Sequence, residues 1–333
     1  MASTLSNKKA VLASLLLLIA SSRPLLAGED PGAQQLLLAA QRQANLFSPD
    51  ASPWQLEIDF VAQVRMPAQG HVTYRWESAD RWWRKVSIGD FQEIEVKNGE
   101  RLYTLRNAAF TPLRITELSR LVSVARNTNH LQVKKQKQRV EGGLAISCLE
   151  VRKEDEKGEG YEVCVNPPSR EIFSYEWKTH PDGNGRQEYS DFVEFHGHRY
   201  PRKMELFENG IKVISAQVVS LSTFPFDQAL LVPPQGAIER RLCANMKPPV
   251  PVKQPDPLYP KSAIQNRVMG DTTVSMTVFV DGSVGEIQLL GSSTLFLDDA
   301  TLQTLKGWKF KPAMCGAEPV VSDIQVVVNF RLR

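Results

Sequence analysis

Four cysteines and five histidines are the side chains of this 333-residue chain best suited to metal ligation or redox chemistry. Cys148, Cys164, Cys243 and Cys315 could hold a metal as thiolates or close two disulfides, and the compartment decides between the two. Residues 1–27 supply that compartment. Lys8 and Lys9 give a positive start, residues 10–20 are an apolar run, and Leu25-Leu26-Ala27 offers a cleavage site, which together have the form of a secretory signal. The apolar run is shorter than the roughly 20 residues that span a bilayer. The expectation is therefore an exported chain, with an uncleaved N-terminal anchor as the alternative. In an oxidising compartment the cysteines read as disulfides. Three pairings exist, and the sequence favours one. Residues 144–151 and 161–165 flank a turn-like polar run centred near Glu156, which sets Cys148 opposite Cys164 and leaves Cys243 to join Cys315.

The histidines carry less. His196-x-His198 would project from one face of a strand, and His180 could complete a site, but Gly197 also reads as a hairpin tip that leaves both neighbours in solvent. The carboxylates Asp155 and Glu156 lie in an exposed turn. There is no nucleophile elbow, phosphate loop or metalloprotease motif. The reading is of a non-enzyme, with no cofactor and no metal. With 40 Lys plus Arg against 37 Asp plus Glu, no basic field points to nucleic acid. The one basic run, Lys134, Lys135, Lys137 and Arg139, reads as the solvated part of a strand or loop.

The elements that would position these residues fall into two halves. Toward the C-terminus, Tyr259-Pro260 opens a short helix to residue 267, since proline suits a first turn that needs no N–H. Residues 271–280 alternate, with Val274, Met276, Val278 and Val280 on one face. Asp281-Gly282 signals a tight hairpin turn, with a return strand over 284–290. A helix follows over 298–306, with Asp298 and Asp299 in its positive first turn and Gly307 as its C-cap. The last strand, 320–331, turns Ile324, Val326, Val328 and Phe330 one way and Gln325, Asn329 and Arg331 the other. Trp308 and Phe310 would pack the helix onto this sheet.

Tyr259-Pro260, Ala263, Gly270, the alternation from Val274 to Val284 through Gly282, Leu297-Asp298, Ala300 and Trp308-Lys309-Phe310-Lys311-Pro312 resemble the TonB C-terminal domain. The resemblance covers residues 258–333 and includes Ser292-Ser293, after which Thr294 departs from the glycine often found there. It implies a periplasmic location and docking to an envelope protein, with a TonB-dependent outer-membrane receptor as the implied class of partner. It also implies energy transfer in transmembrane transport. True energisers, however, carry a long membrane helix bearing a proton-responsive histidine, and residues 1–27 hold neither, so no motor of its own is expected. A three-stranded domain leaves two unpaired edges. Strand addition is expected along Ile324, Gln325, Val326, Val327, Val328, Asn329 and Phe330, by a partner or by a second copy that makes a homodimer.

In the first half, residues 34–47 read as a helix and residues 54–66 as a long alternating strand. Strands at 72–76, 81–86, 91–97 and 101–105 precede a helix at 116–125. Strands at 171–177, 188–195, 199–207 and 212–221 come after the cysteine hairpin. So many antiparallel strands argue for an α+β chain with one curved sheet or open barrel in this half. Gly70-x-x-x-Tyr74-x-Trp76, Trp83-Arg84-Lys85, Val96-Lys97-Asn98-Gly99, Tyr103, Gly197-His198-Arg199-Tyr200-Pro201-Arg202 and Leu230-Leu231-Val232-Pro233-Pro234 are similar to LolA/LolB-like lipoprotein carriers. That resemblance spans most of residues 33–236 and implies a half-barrel domain over 33–240 whose concave face takes lipid or another apolar ligand. Phe60, Tyr74, Trp76, Trp82, Phe173, Tyr175 and Trp177 would line it, or else fill an ordinary core. Between the halves, the proline-rich residues 247–257 predict an extended spacer of about 35 Å.

Overall fold

The computed structural model describes residues 31–49, 51–63, 66–108, 110–126, 131–153, 160–179, 183–241, 243, 245–292 and 294–332. The signal expected over 1–27, Val64, the turn with Asp155 and Glu156, and His180 lie outside them. Among the described residues no helix is long and apolar enough to cross a membrane.

Helix α1 (Pro31–Ala44) buries Ala33, Leu37, Ala40 and Ala44, which recur at helical spacing. The period then switches to two. In β1 (Trp54–Gln63) the alternate residues Trp54, Leu56, Ile58, Phe60 and Ala62 are buried. The strand stops before Met66, which is exposed in a bend at the foot of the next strand. Strands β2 (Pro67–Ser78), β3 (Arg81–Ile88), β4 (Phe91–Asn98) and β5 (Arg101–Arg106) follow as hairpins joined by two residues. Helix α2 (Leu113–Val122) begins three residues before its predicted start and ends three before its predicted end. Strands β6 (Leu131–Glu141), β7 (Leu144–Lys153), β8 (Tyr161–Val165) and β9 (Ile172–Thr179) come next. Then come β10 (Gly183–Phe195), β11 (His198–Glu208), β12 (Ile211–Thr223) and β13 (Ile238–Arg241).

All thirteen form one antiparallel sheet in the order β13-β5-β4-β3-β2-β1-β12-β11-β10-β9-β8-β7-β6. With β1 beside β12 in the middle, the chain builds one wing outward through β5. It then crosses by α2 to the opposite edge and returns. The basic run is that opposite edge: it lies on β6, where lysines discourage another strand from adding.

Both helices pack on one face. There Trp54 stacks on Trp76 at 5.6 Å, with the ring of Phe47 edge-on to both. The last carbonyls of a helix have no partner within it. Three buried tyrosines supply partners at the end of α2: Tyr189 Oη donates to Leu121 O (3.2 Å), Tyr200 Oη to Val122 O (2.9 Å) and Tyr175 Oη to Val124 O (3.0 Å). Burial raises all three phenol pKa values above the ordinary tyrosine range, so the hydroxyls stay protonated as donors.

The second unit comprises β14 (Val250–Lys253), α3 (Lys261–Gln265), β15 (Gly270–Val278), β16 (Val284–Ser292), α4 (Asp298–Leu305), β17 (Lys309–Lys311), β18 (Ala313–Cys315), β19 (Glu318–Val320) and β20 (Ser322–Phe330). Its sheet has the order β16-β15-β20. Val274, Met276, Val278, Leu305, Phe310, Val328 and Phe330 form its core, with Trp308 packed partly buried against them.

Three local expectations are corrected here. The proline-rich segment is not a free spacer, because β14 pairs with β17 and the backbones of Lys247 and Met314 bond to each other. The hairpin turn at Asp281-Gly282 is a longer loop, closed by Phe279 N–H to Ser283 O at 2.9 Å. Gly282 alone in it takes a positive φ (+76°), and a Cβ there would lie 1.9 Å from Phe310 O. Gly307 is not a left-handed cap, since its N–H bonds Thr304 O in a tightened last turn.

Candidate partner-binding edge

Strand β20 lies at the edge of its sheet, and among the described residues no strand pairs with its outer side. Alternation sets its two faces. Val328 and Phe330 are buried and Ile324 and Val326 half-buried against the core, while Gln325, Val327 and Asn329 are exposed. Val327, 53% exposed, makes the outer face less polar than the sequence suggests. Tyr259 packs edge-on to Phe330 at 5.3 Å, and Arg331 pairs with Asp271 at 2.9 Å, which fixes the far end.

The two edges differ in regularity. β20 pairs with β15 over nine successive residues without a shift of register. On the other side, the ladder between β15 and β16 is broken twice by bulges, and Glu286 takes a left-handed φ of +46°. Bulges twist an edge away from further pairing. That leaves β20 as the straight edge, with a row of backbone N–H and C=O groups open to another strand.

The outer polar face of this sheet meets the first wing of the large sheet. Arg106 Nη2 lies 2.6 Å from Glu286 Oε1, and Arg240 Nη2 lies 2.6 Å from Glu286 Oε2. Arg240 Nε also reaches Asp323 Oδ2 at 3.1 Å. Thr277 Oγ1 sits between the two carboxylates, at 2.8 Å from Glu286 and 2.6 Å from Asp323. Behind them Arg84 bridges Glu93 (2.6 Å) and Glu95 (2.7 Å). A cleft of about 280 Å³ runs between the units here. Burial raises the Glu95 carboxyl above its usual range, and the nearby Arg84 opposes that shift.

Sequence reading did not find this cluster. Its trace in the sequence is Glu93, Glu95 and Lys97 at alternate positions of β4, where the register sets Arg84 of β3 opposite Glu95 and Arg106 of β5 opposite Glu93.

The bridge expected between Cys148 and Cys164 is present, with the two residues directly opposed on β7 and β8. Cys243 is bonded to Cys315, with Cα atoms 6.2 Å apart. The expected aromatic lining is divided. Phe60, Tyr74, Trp76 and Tyr175 are buried under the helices, and Trp82 and Trp177 are half-buried beside them. Phe173 is a correction: it packs on the opposite face with Ile146, Cys148 and Cys164. The ladder between β8 and β9 passes from Cys164↔Ser174 to Val165↔Ile172, so Phe173 is the extra residue of a bulge and its side chain changes face. His196 sits at a turn with its Nε2 2.8 Å from Thr223 Oγ1, and His198 opens β11. The one group with metal-ligand spacing among the described residues is Cys148, Glu162 and Cys164, whose two sulfurs are bonded to each other.

Residues 255–332 match the family described as the Gram-negative bacterial TonB protein C-terminal. They form a TonB-type C-terminal domain. Protein TonB of Vibrio cholerae serotype O1 is 35% identical over 89 residues, which are 26% of this chain and 36% of that protein. The chain thus spans about a third of the length of this curated relative. The solution structure of the Pseudomonas aeruginosa TonB C-terminal domain aligns at 25% identity over 27% of this chain and 89% of that chain, with a TM-score of 0.23. A LolA superfamily protein from Nitrosomonas europaea aligns at 10% identity over 60% of this chain and 97% of that chain, with a TM-score of 0.44. The TonB-type domain therefore begins within the proline-rich segment, and β20 is its last strand.

Proposed function

We propose that this chain is a non-enzymatic periplasmic protein whose TonB-type domain docks a partner of the cell envelope by accepting a strand along β20. The partner class is a TonB-dependent outer-membrane receptor, with a second copy of the domain as the competing occupant. The regular, unpaired ladder of β20, set against the bulged edge of β16, carries the reading. In such docking the backbone ladder supplies affinity and alternate side chains supply specificity, here Gln325, Val327 and Asn329. Proline removes one N–H. At a position whose N–H points outward it spares the fold and interrupts the added strand. A scan of single prolines from Gln325 to Asn329 is expected to yield a variant with native circular dichroism that no longer captures detergent-solubilised outer-membrane proteins or dimerises. If every variant unfolds, or every folded one still binds, β20 is not the docking edge.

A second reading, carriage of an apolar ligand by the large sheet, draws on its buried aromatics, Tyr175 against Gln41 of α1 and the stacked Trp54 and Trp76 beside Phe47. It requires α1 to move, because Ala33, Leu37, Ala40 and Ala44 of that helix belong to the same packed core as the sheet's inner face.

A further inference from the structure

The start of the docking strand is gripped by the other half of the molecule. Arg240, Arg241 and Cys243 lie on one short stretch of chain at and just after β13, the edge strand of the large sheet. Each holds a point on β20 or on the segment that leads into it: Arg240 binds Asp323 of β20, Arg241 binds Glu318, and Cys243 is bonded to Cys315. A strand added along the whole edge would have to share its first residues with this grip.

The contact also shows a backbone cost. Glu286 is a non-glycine residue in the left-handed region, at φ +46°, within the second bulge of β16. Such conformations are strained and persist where their surroundings hold them. Here the bulge aims the Glu286 carboxylate at Arg106 and Arg240 at once, both on the large sheet and both largely buried.

We propose that the first wing of the large sheet is a resident clamp on the TonB-type domain. The clamp is an ionic latch through Glu286 and Asp323 backed by the Cys243–Cys315 tether, and its release exposes the full length of the docking edge. This regulation rests on β20 being the docking strand. With the clamp closed, an added strand has the stretch from Gln325 to Phe330. With it open, the strand gains the residues at Ser322 and Asp323.

The test compares the full mature chain as wild type, Glu286→Gln, the pair Cys243→Ser with Cys315→Ser, and all three changes together. The serine pair leaves the Cys148–Cys164 bridge intact. Small-angle scattering should give the wild type a radius of gyration near that of one compact body, about 20 Å for this length, and a larger value for the triple variant. Capture by detergent-solubilised outer membranes should rise about fivefold or more in the triple variant, the low end of ordinary coupling between sites. Asp323→Asn in the serine-pair background should act in the same direction, which covers the case that Glu286→Gln disturbs β16 itself. A wild type already expanded, or a triple variant as compact as the wild type, overturns the latch. Separated halves without increased capture overturn the regulation. If capture is lost in the folded proline variants yet unchanged in the released ones, the docking reading stands and this proposal falls.

Discussion

If the large sheet carries an apolar ligand, α1 is its lid, and weakening the lid must strengthen binding. Leu37 is completely buried in α1, flanked on the same face by the buried Ala33, Ala40 and Ala44. Gln41 adds polar anchors, with Nε2 2.8 Å from Tyr175 Oη and Oε1 2.6 Å from the Arg126 amide. Exposing the four apolar side chains costs about 4–5 kcal/mol at ~0.8 kcal/mol per methyl-sized group and ~2 for the leucine. A ligand that binds only the lid-open form would lose about three decades of apparent affinity to that cost. Leu37→Ala should return about 2–3 kcal/mol of it, within the range for buried leucine truncation, and so tighten binding by roughly 30- to 150-fold. The assay is titration with a fluorescent fatty acid, with the near-ultraviolet circular dichroism of the Trp54–Trp76 stack as the check on folding. A folded Leu37→Ala protein that binds the probe no better than wild type refutes the lid. The aromatics are then an ordinary core.

Three further outcomes follow from the packing. Tyr200→Phe removes one of the two donors to the buried Val122 carbonyl, which keeps the Val124 N–H, and should cost about 0.5–1.5 kcal/mol in urea denaturation. Gly282→Ala meets both a positive φ and the Phe310 carbonyl. It should lower stability by about 2–4 kcal/mol and shift the melting of the TonB-type domain, leaving that of the large sheet in place. Glu95 has its pKa raised above 4.5 by burial. Its favourable contribution is complete below about pH 4.5 and is lost as pH rises through the folded value. Glu95→Gln should therefore be more stable than the parent at pH 7, with the difference vanishing below pH 4.5 in denaturation series across pH.

What the sequence made legible was local. The bridge between Cys148 and Cys164 could be read because both residues sit in one hairpin, where strand register alone opposes them. The two faces of β20 follow from alternation, which needs no knowledge of neighbours. Phe173 was misplaced because a single bulge reverses the parity that alternation relies on. The proline-rich segment was misread for a different reason. Proline density reports the backbone's own preference for an extended form, and that form also suits the short strand that Val250 and Pro251 make with β17. The ionic cluster was least visible. Arg84, Glu93, Arg106, Arg240, Glu286 and Asp323 come from six strands of two sheets, and only the assembled fold brings them together.

The central claim is that a partner pairs with β20 rather than with β16 or a helix face. Amide hydrogen exchange on the chain bound to solubilised outer-membrane proteins, compared with the free chain, tests it directly. The account predicts slowing by tenfold or more at alternate amides between Gln325 and Asn329, those not already bonded to β15, with β16 unchanged. Protection confined to β16 or to α4, or none in β20 at saturating partner, would contradict it.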